Sequence, residues 1–460
     1  MRATLVSLSP TAAATDAGRP ALTPELLAAT GARYSRSNEG LEAILAKIDP
    51  ANPDKSVDSI FKMVDYGHAS IADMAPVAIF LDGVTMWLAY YLWSICPTAG
   101  GQESSTRYIR LKPDNLADPD DLGIPAKLHD EWKQAMNDSL EAYEKAIEFW
   151  EGVADKDPKV MRIPAALLAD PSERVQKAVA RMKRNYAFDR ARYFLPAALK
   201  TNVMLVQSAR AWVTLCQQLL SHPLPEPQKL GELIREELAL VAPRLLKHAE
   251  AKETFQDSID RSFDNMFQKA LEVGNDWGWL VGEDEDKATL EVFGGDGDAF
   301  AADLAFHSNR YAFIGETLQM TPVRFGWHAI AFGDIRDLNR HRTGNKFCDL
   351  VPSGFYCAED QSKLNPPPSI VETGQATTSK ALEILAKNKQ GYGLYWFLLG
   401  SQFEFTHTTT ADKLIYEIEL RTGVGAHYRY AKHLHDVLYQ WHKKFPATKG
   451  LILEGSAEPE

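Results

Sequence analysis

Four basic residues lie close together in the segment IRDLNRHRTGNKFCDL, residues 335–350, beside the mostly apolar segment TPVRFGWHAIAFGD. They are Arg336, Arg340, His341 and Arg342. Arg336 and Arg340 are spaced i, i+4 and would share one face of a helix. Asp337 and His341 have the same spacing, so Asp337 could fix the tautomer of His341. The cluster is compatible with a helix C-terminus, where the macrodipole favours cations, and with a binding site for an anionic ligand.

A second candidate is the segment GGQESSTRYIRL, residues 100–111. Gly100 and Gly101 permit unusual backbone torsions and a close approach by a ligand. Hydroxyl side chains follow, and the planar guanidinium of Arg107 could form parallel hydrogen bonds with a phosphate or a carboxylate. Taken alone, the segment is equally typical of a Ser/Thr-rich loop with a surface arginine.

Two other segments carry functional-type side chains at the ends of predicted helices. DYGHASIADMAP contains His68 and Asp73, and an ordinary histidine at a helix start is the alternative to a functional one. YEIELRTGVGAHYRY places Arg421 at the end of an amphipathic helix. There, Gly423 is expected to adopt the left-handed conformation of a C-cap. Both segments fit either a site or plain helix capping.

The composition limits the classes of function. The chain has 460 residues and a formal net charge of −12, which argues against general binding to nucleic acids or anionic membranes. The four cysteines are scattered and fit no common zinc motif, so we expect no metal and a reducing, cytoplasmic location. No apolar run reaches the roughly 18 residues of a membrane helix. A local pocket for one anion remains compatible with this balance.

Apolar periodicity predicts a helix-rich chain of the α/β (α+β) class. KLHDEWKQAMNDSLEAYEKAIEFWEGV repeats large apolar residues at spacings typical of a helix with one buried face. Thr23 and Pro24 are typical of a helix start. In HASIADMAPVAIFLDGVTMWLAYYLWSICP we expect a strand around Val77–Leu81 and a helix from Val84.

The chain also contains an internal repeat of about 230 residues, a period that indicates domain duplication and not a solenoid. DRARYFLPAALKTNVMLVQSARAWVTL and GYGLYWFLLGSQFEFTHTTTADKLIYEI share an aromatic turn, a break and a helix start, with Arg210 and Lys413 at matched offsets. The acidic, Gly-rich segment VGEDEDKATLEVFGGDGD marks the linker. The predicted organisation is a disordered leader at 1–20, a first domain at 21–250, a linker region at 251–290, a second domain at 291–445 and a tail at 446–460.

These motifs resemble those of the flavin-dependent thymidylate synthases, which carry R-H-R and S-x-R-Y after a G-H-x-[ST]-x-x-[DE] element and before an A-R-x-x-L-P turn and an N-x-R helix. In the first half, GHASIAD, SSTRY, ARYFLP and SARAW resemble four of these elements, but SICPTA stands where R-H-R is expected. The second half is complementary. It keeps RHR at 340–342 and resembles the late nucleotide-binding arginine at Arg421, and it lacks the G-H and S-x-R-Y elements. The resemblance covers the chain from about Arg33 to Leu434.

The resemblance implies a homotetrameric α/β fold that binds FAD and dUMP between subunits. It also implies reductive methylation of dUMP to dTMP, with methylenetetrahydrofolate as the carbon donor and NADPH as the reductant. Because each half keeps one side of the family site, the two tandem domains would form a pseudo-dimer with one composite site. Two chains would then form a pseudo-tetramer. The expected partner is therefore a second copy of the chain, with no nucleic acid and no membrane.

The resemblance also assigns residues to the two ligands. The dUMP site is expected to comprise Glu103, Ser105, Arg107, Arg192, Arg340 and Arg421. Arg340 and Arg421 are expected to act in catalysis by stabilising charge on the uracil ring, and not as acids or bases. The FAD site is expected to comprise His68, Ser70, Asp73, Arg210, His341 and Arg342.

Three positions depart from the family pattern. Asp337 stands where glutamine is usual, Ser208 where asparagine is common, and Lys413 where the second half would have arginine. Two alternatives therefore stay open. One is a flavoenzyme of the same fold that acts on another uracil nucleotide or on uracil in nucleic acid, and the other is a non-catalytic paralogue that binds flavin or nucleotide.

Overall fold

The computed structural model describes residues 1–49, 51–65, 69–275, 287–361 and 366–457. The chain is helix-rich and contains two antiparallel sheets. It divides into two compact units. The first unit comprises Met1–Ser104, Asp121–Gly123 and Lys200–Phe263, and the second comprises Ser105–Asp120, Ile124–Leu199 and Asp264–Glu460.

Each unit contains one sheet. The strands of the described residues are β1 Arg2–Val6, β2 Pro76–Thr85, β3 Gly100–Glu103, β4 Lys200–Ser208, β5 Thr289–Val292, β6 Pro322–Ala331, β7 Asn345–Cys348, β8 Gly354–Phe355 and β9 Ser401–Thr410. The first sheet has the strand order β1-β2-β4-β3, and the second has the order β5-β6-β9-β7 with β8 also paired to β9. The central strands of both sheets are therefore the second and the last of their unit.

Helices account for most of the remaining structure. They are α1 Ala12–Asp16, α2 Pro24–Tyr34, α3 Gly40–Leu45, α4 Pro53–Asp65, α5 Met86–Ile95, α6 His129–Lys156, α7 Ala165–Ala169, α8 Glu173–Ala191, α9 Ala209–Leu220, α10 Pro225–Ala239, α11 Glu253–Asn275, α12 Gly297–Asp303, α13 Glu316–Met320, α14 Phe332–Asn339, α15 Pro368–Leu385, α16 Ala411–Thr422 and α17 Tyr428–Lys444. Among the described helices, none is both long enough and apolar enough to cross a membrane.

The predicted transition from a strand to a helix is confirmed in the first sheet. The β-branched and aromatic run Val77–Leu81 lies within β2, as expected for side chains that pack well on a pleated surface. The hydroxyl of Thr85 then accepts a hydrogen bond from the backbone N–H of Leu88 and caps α5. The helix therefore begins at Met86, two residues after the expected Val84.

The predicted amphipathic helix around residue 140 is also confirmed, as α6. Its buried face contains Trp132, Met136, Leu140, Tyr143, Ile147 and Trp150. The indole N–H of Trp132 donates to the carbonyl of Tyr395 at 3.0 Å. This apolar face provides the core against which α8 and the site elements of the second unit pack.

Two segments differ from the predicted organisation. Part of the expected leader forms β1, where Arg2–Val6 pairs antiparallel with β2, because backbone pairing satisfies its polar groups despite a weak apolar pattern. Part of the expected linker forms α11, whose Phe263, Met266 and Ala270 are buried. Residues 276–286 of that linker lie outside the described residues.

The two sheets have the same register as well as the same strand order. Pro76 of β2 lies opposite Ser208 of β4, and Pro322 of β6 lies opposite Thr410 of β9. Both pairs contain a register shift near the end of the earlier strand. Each central strand then leads directly into a helix, so that α5 corresponds to α14 and α9 corresponds to α16.

These registers define equivalent positions in the two halves. Through β2 and β6, Leu88 corresponds to Asp334 and Tyr91 to Asp337. Continuing along the same helices, Ser94, Ile95 and Cys96 correspond to Arg340, His341 and Arg342. The segment SICPTA is thus the structural counterpart of the R-H-R motif.

The strands β4 and β9 extend the equivalence to Arg421 and to Arg192. Through β4 and β9, Leu219 corresponds to Arg421. The two aromatic turns themselves pair reciprocally, because Ala197 donates to the Phe397 carbonyl at 2.7 Å and Leu399 donates to the Leu195 carbonyl at 2.8 Å. This pairing makes Arg192 equivalent to Leu394.

The equivalence predicted for Arg210 and Lys413 is displaced by one position. Arg210 is the second residue of α9, whereas Lys413 is the third residue of α16. The residue at the Arg210 position is Asp412. The two segments are short and only weakly similar, so the sequence alone could not decide between two alignments that differ by one residue.

Candidate functional site

Arg192 is buried and ion-paired with two carboxylates. It begins the 3₁₀-helix Arg192–Phe194 that follows α8, and its side chain is 2% exposed. Its Nη2 donates to Asp334 Oδ1 at 2.8 Å, and its Nη1 donates to Asp337 Oδ2 at 2.9 Å. Both Nη atoms thus pair with carboxylates inside the protein. Because the side chain is 2% exposed, its surroundings differ from those expected of an arginine that binds dUMP directly.

Both carboxylates come from α14 and point toward Arg192 because they are three residues apart on one helical face. The Asp334 side chain is fully buried, and the Tyr193 hydroxyl lies 3.3 Å from both of its oxygens. Burial acts to raise the pKa of Asp337, but the guanidinium groups of Arg192 and Arg421 outweigh burial and hold that pKa below its ordinary value. Asp337 is therefore ionised at neutral pH.

Arg421 reaches the same residue from the other half of the chain. It lies in the last turn of α16, and its Nη2 donates to the backbone carbonyl of Asp337 at 2.9 Å. Its Nε donates to Nε2 of His341 at 2.7 Å. Arg192 and Arg421, which the resemblance assigned to opposite halves, therefore both contact Asp337.

The predicted contact between Asp337 and His341 is replaced by these arginine contacts. α14 ends at Asn339 and Arg340 is its C-cap, so His341 leaves the helix and loses the i, i+4 relation to Asp337. The His341 ring is buried and its Nε2 accepts a hydrogen bond from Arg421 Nε, so the proton of the neutral ring lies on Nδ1. Burial, with a contribution from Arg421, lowers the pKa of His341 to about 3.

A buried carboxylate lies behind His341. Glu417 Oε1 is 4.0 Å from His341 Nε2, and Glu417 Oε2 is 3.3 Å from His407 Nδ1. Nε2 of His407 lies 2.7 Å from the carbonyl of Thr343, which fixes the orientation of that ring. Glu417 thus provides a negative charge near Arg421 and His341.

Arg107 is held by a second set of contacts. Its Nε and Nη2 each donate to Asp189 at 2.8 Å in a bidentate ion pair. Its Nη1 donates to the carbonyl of Gly425 at 2.8 Å, and its backbone N–H donates to the Ser105 hydroxyl at 3.2 Å. Gly425 has a φ of 83°, whereas Gly423, the expected left-handed residue, has a φ of −65°.

His427 lies between the two arginine clusters. Its Nε2 lies 3.0 Å from the carbonyl of Asp189, and its Nδ1 lies 3.7 Å from Oδ1 of Asp334. Burial, with contributions from Arg192 and Arg107, lowers the pKa of His427 well below its ordinary value. Nδ1 accepts a hydrogen bond from the backbone N–H of Arg429 at 3.2 Å, so the neutral ring bonds to Asp189 and lies beside Asp334 without a hydrogen bond to it.

Sequence reasoning singled out the arginines of these clusters but missed the buried carboxylates that pair with them, Asp189 and Asp334. Asp334 did carry a signal, since it is a carboxylate within the apolar segment before the basic cluster. Buried carboxylates of this kind require a cationic partner. The identity of that partner depends on contacts between distant segments.

The remaining residues of the predicted dUMP site occupy different surroundings. Arg340 is half-buried at the end of α14, and its charge contributes to the low pKa of Asp337. Ser105 is half-buried in the second unit. Glu103 ends β3 in the first unit, where its Oε2 accepts a hydrogen bond from the indole of Trp93 at 3.2 Å.

The predicted FAD residues are divided between the units. In the first unit Ser70 is exposed, and Asp73 accepts hydrogen bonds from Arg210 Nη1 at 2.8 Å and from the Ser208 hydroxyl at 3.2 Å. His341 and Arg342 belong to the second unit. His68 lies outside the described residues.

The exposure of these side chains decides which of them could contact a flavin dinucleotide. The Arg210 side chain is 50% exposed, and Arg342 is exposed, so either guanidinium fits the pyrophosphate of FAD. The buried His341 ring, already bonded to Arg421, does not fit direct contact with the cofactor.

Comparison with known proteins identifies relatives over about half of the chain. Residues 21–244 match the sequence model of the family described as thymidylate synthase complementing protein. A UPF0159 protein of Thermoplasma acidophilum is 23% identical over 257 residues, which is 51% of this chain and 51% of the relative. A UPF0159 protein of Chlamydia pneumoniae is 24% identical over 239 residues, which is 47% of this chain and 43% of the relative. The chain thus spans about half the length of the curated relatives it matches.

Among solved structures, a UMP/dUMP methylase, PolB, from Streptomyces cacaoi bound with 5-Br dUMP is similar at 16% sequence identity and a TM-score of 0.31. This similarity covers 54% of this chain and 93% of the methylase. The match assigns residues 21–244 to the thymidylate synthase complementing protein family, which is the family of the flavin-dependent thymidylate synthases.

Proposed function

We propose that the chain is an FAD-dependent thymidylate synthase-like enzyme. It methylates dUMP reductively to dTMP with methylenetetrahydrofolate and NADPH, at one composite site per chain. The observation that carries this proposal is the contact of Arg192 and Arg421 with the same residue, Asp337. Each of these arginines is replaced by leucine at the equivalent position of the other half, which favours a shared site over two independent ones.

The side chains of the site divide into positioning and binding roles. Arg192 is a positioning residue, because its two ion pairs fix α14 and the carboxylate of Asp337. Arg107 and Ser105 bind the phosphate of dUMP, to which a guanidinium offers charge-assisted hydrogen bonds. Arg421 and Arg340 lie toward the pyrimidine ring and stabilise the negative charge that develops on it during methylation.

The neutral state of His341 supports the role of Arg421. A protonated imidazole could not accept the hydrogen bond from Arg421 Nε, and it would repel the guanidinium. The low pKa of His341 therefore keeps Arg421 in one orientation at neutral pH. His341 acts through Arg421 and is a positioning residue.

The cofactor follows from the family. FAD, when bound, supplies the redox chemistry, as cofactors generally do in such enzymes. In this proposal Arg210 binds its pyrophosphate, and the Asp73 carboxylate orients Arg210. A second copy of the chain would complete a pseudo-tetramer.

Purified protein tests the proposal directly. We expect flavin absorbance, about one flavin per chain, and formation of dTMP from dUMP, methylenetetrahydrofolate and NADPH. Arg107→Ala and Arg340→Ala should each abolish dUMP binding. Lys413→Ala is the matched control, because Lys413 is an exposed cation of the second unit paired only with its neighbour Asp412 among the described residues. Full activity in either arginine variant, or two flavins per chain, would contradict the composite site.

One observation favours a second candidate function. Asp337 replaces the glutamine usual in the family, and an ionised carboxylate beside the base changes which ring atoms can be bound. A same-fold flavoenzyme acting on another uracil nucleotide would bind flavin but form no dTMP from dUMP. A protein that lacks flavin altogether would indicate a non-catalytic paralogue.

A further inference from the structure

Asp337 has one occupied and one available carboxylate oxygen. Oδ2 accepts the hydrogen bond from Arg192, and Oδ1 accepts none from any residue that the structure describes. The side chain is 22% exposed, in contrast to the fully buried Asp334 on the same helix. Because Arg192 fixes Oδ2, the direction of Oδ1 is fixed as well.

Arg421 presents a complementary donor beside this acceptor. Its Nε and Nη2 are engaged by His341 and by the Asp337 carbonyl. Its Nη1 donates to no partner within the described ranges of the chain, and the residue is only half-buried. An available donor and an available acceptor therefore lie on two residues that contact each other.

The chemistry of the two groups restricts the ligand. An ionised carboxylate only accepts hydrogen bonds and a guanidinium only donates them, whereas an amide side chain can turn to do either. The matching ligand edge must present an N–H group next to a carbonyl or a similar acceptor. Position 3 of uracil carries such an N–H between two carbonyl groups.

We propose, on the basis of the function proposed above, that Asp337 Oδ1 and Arg421 Nη1 bind the N–H and carbonyl edge of a pyrimidine ring, and that Asp337 selects for the N–H group. A ring substituted at that nitrogen leaves the carboxylate without its donor and places a methyl group against it. Loss of a hydrogen bond to a charged group corresponds to a reduction in affinity of about tenfold to a hundredfold.

The test compares dUMP with N3-methyl-dUMP by calorimetric titration of the full chain. Wild-type protein should bind N3-methyl-dUMP at least about tenfold more weakly than dUMP. In Asp337→Asn, Arg192 would retain the amide oxygen and the NH₂ group would face the ligand. The ratio of the two affinities should then fall to within about threefold, mainly through weaker dUMP binding.

Asp334→Asn is the matched control, because it makes the same chemical change on the other carboxylate bound to Arg192. Its side chain is fully buried, so the ratio of affinities should stay as in the wild type even if the protein becomes less stable. Equal wild-type binding of the two nucleotides would overturn the inference and leave the proposed function intact. If the ratio of the affinities for dUMP and N3-methyl-dUMP fell equally in both variants, Asp337 would have only a structural role. Absence of dUMP binding in the wild type would overturn the proposed function and this inference together.

Discussion

The helices α5 and α14 occupy equivalent positions in the two halves but bury different chemistry. α5 buries only apolar and aromatic side chains, among them Trp87, Leu88 and Trp93. α14 buries the polar side chains of Asp334, Arg336 and Asn339 among its apolar ones. The same strand order and register therefore tolerate both an apolar interior and an ion-paired one. The fold therefore depends on the pattern of apolar residues, while a few exchanged positions decide whether charged side chains are buried on this helix.

The exchanges run in opposite directions in the two halves. The first half has Arg192 where the second has Leu394, and the second half has Arg421 where the first has Leu219. Arg107 follows β3, whereas Pro352 occupies the equivalent place after β7. Complementary losses of this kind are expected when one site draws on both halves and a second, reciprocal site is abandoned.

The largest effect on the free energy of unfolding is expected for Arg192→Leu, which introduces the residue found at the equivalent position of the second half. Arg192→Leu removes the partner of two carboxylates, of which Asp334 is fully buried. Breaking a buried ion pair on one side typically costs about 3–5 kcal/mol. Urea denaturation should therefore show a loss of this size in the free energy of unfolding.

The double variant Arg192→Leu with Asp334→Leu provides the control for that change. It reproduces the residues of the other half, Leu394 and Leu88, and removes the unpaired buried charge. We expect it to recover much of the lost stability, because apolar replacement of a buried pair is often close to neutral. A single variant within about 1 kcal/mol of the wild type would show that the pair is not effectively buried.

A smaller, pH-dependent effect is expected at His341, which corresponds to Ile95 in the first half. The folded pKa of about 3 lies below the ordinary value of about 6.5. The unfolded chain therefore takes up a proton that the folded chain does not, and stability is lost as the pH falls from about 6.5 toward 3. Between these values the slope from this group approaches about 1.4 kcal/mol per pH unit.

His341→Gln should remove that slope while its amide oxygen still accepts from Arg421. Unfolding free energies measured for both proteins at several pH values between about 4.5 and 8.5 provide the comparison. The two curves should be parallel above about pH 7.5 and diverge below 6.5, with the wild type losing more stability. Parallel curves throughout would mean that the imidazole is not held neutral.

The smallest effect on stability is expected at Arg210 in the first half. Its ion pair with Asp73 is about half exposed, in contrast to the buried pairs of Arg192. Arg210→Ala should change the free energy of unfolding by less than about 1 kcal/mol. Flavin affinity should nevertheless fall, as measured by fluorescence titration. A large stability loss with unchanged flavin affinity would assign Arg210 a structural role.

Local features of the chain were predictable where one segment decides the outcome. The strand around Val77–Leu81, the helix α6 and the end of α14 near Arg340 follow from apolar periodicity and capping preferences. The strand Arg2–Val6 did not follow, because it exists only through pairing with β2. Edge strands of this kind have a weak signal of their own.

The arginines of the candidate site could be predicted from the sequence, but the carboxylates that pair with them could not. Spacing suggested that Asp337 faces His341, but the helix ends between them and Arg192, distant in sequence, takes the carboxylate. The left-handed glycine is Gly425 and not Gly423, because the turn after α16 presents its carbonyl to Arg107. Such contacts join segments that no local pattern connects.

In the proposed function, one dUMP site is assembled from residues of both halves of the chain. Calorimetric titration of dUMP into the wild type, Arg421→Leu and Leu219→Arg tests it most directly, because the two variants exchange equivalent positions. We expect one dUMP per chain in the wild type and in Leu219→Arg, and loss of binding in Arg421→Leu. Two dUMP per chain in the wild type, or undiminished binding in Arg421→Leu, would contradict it.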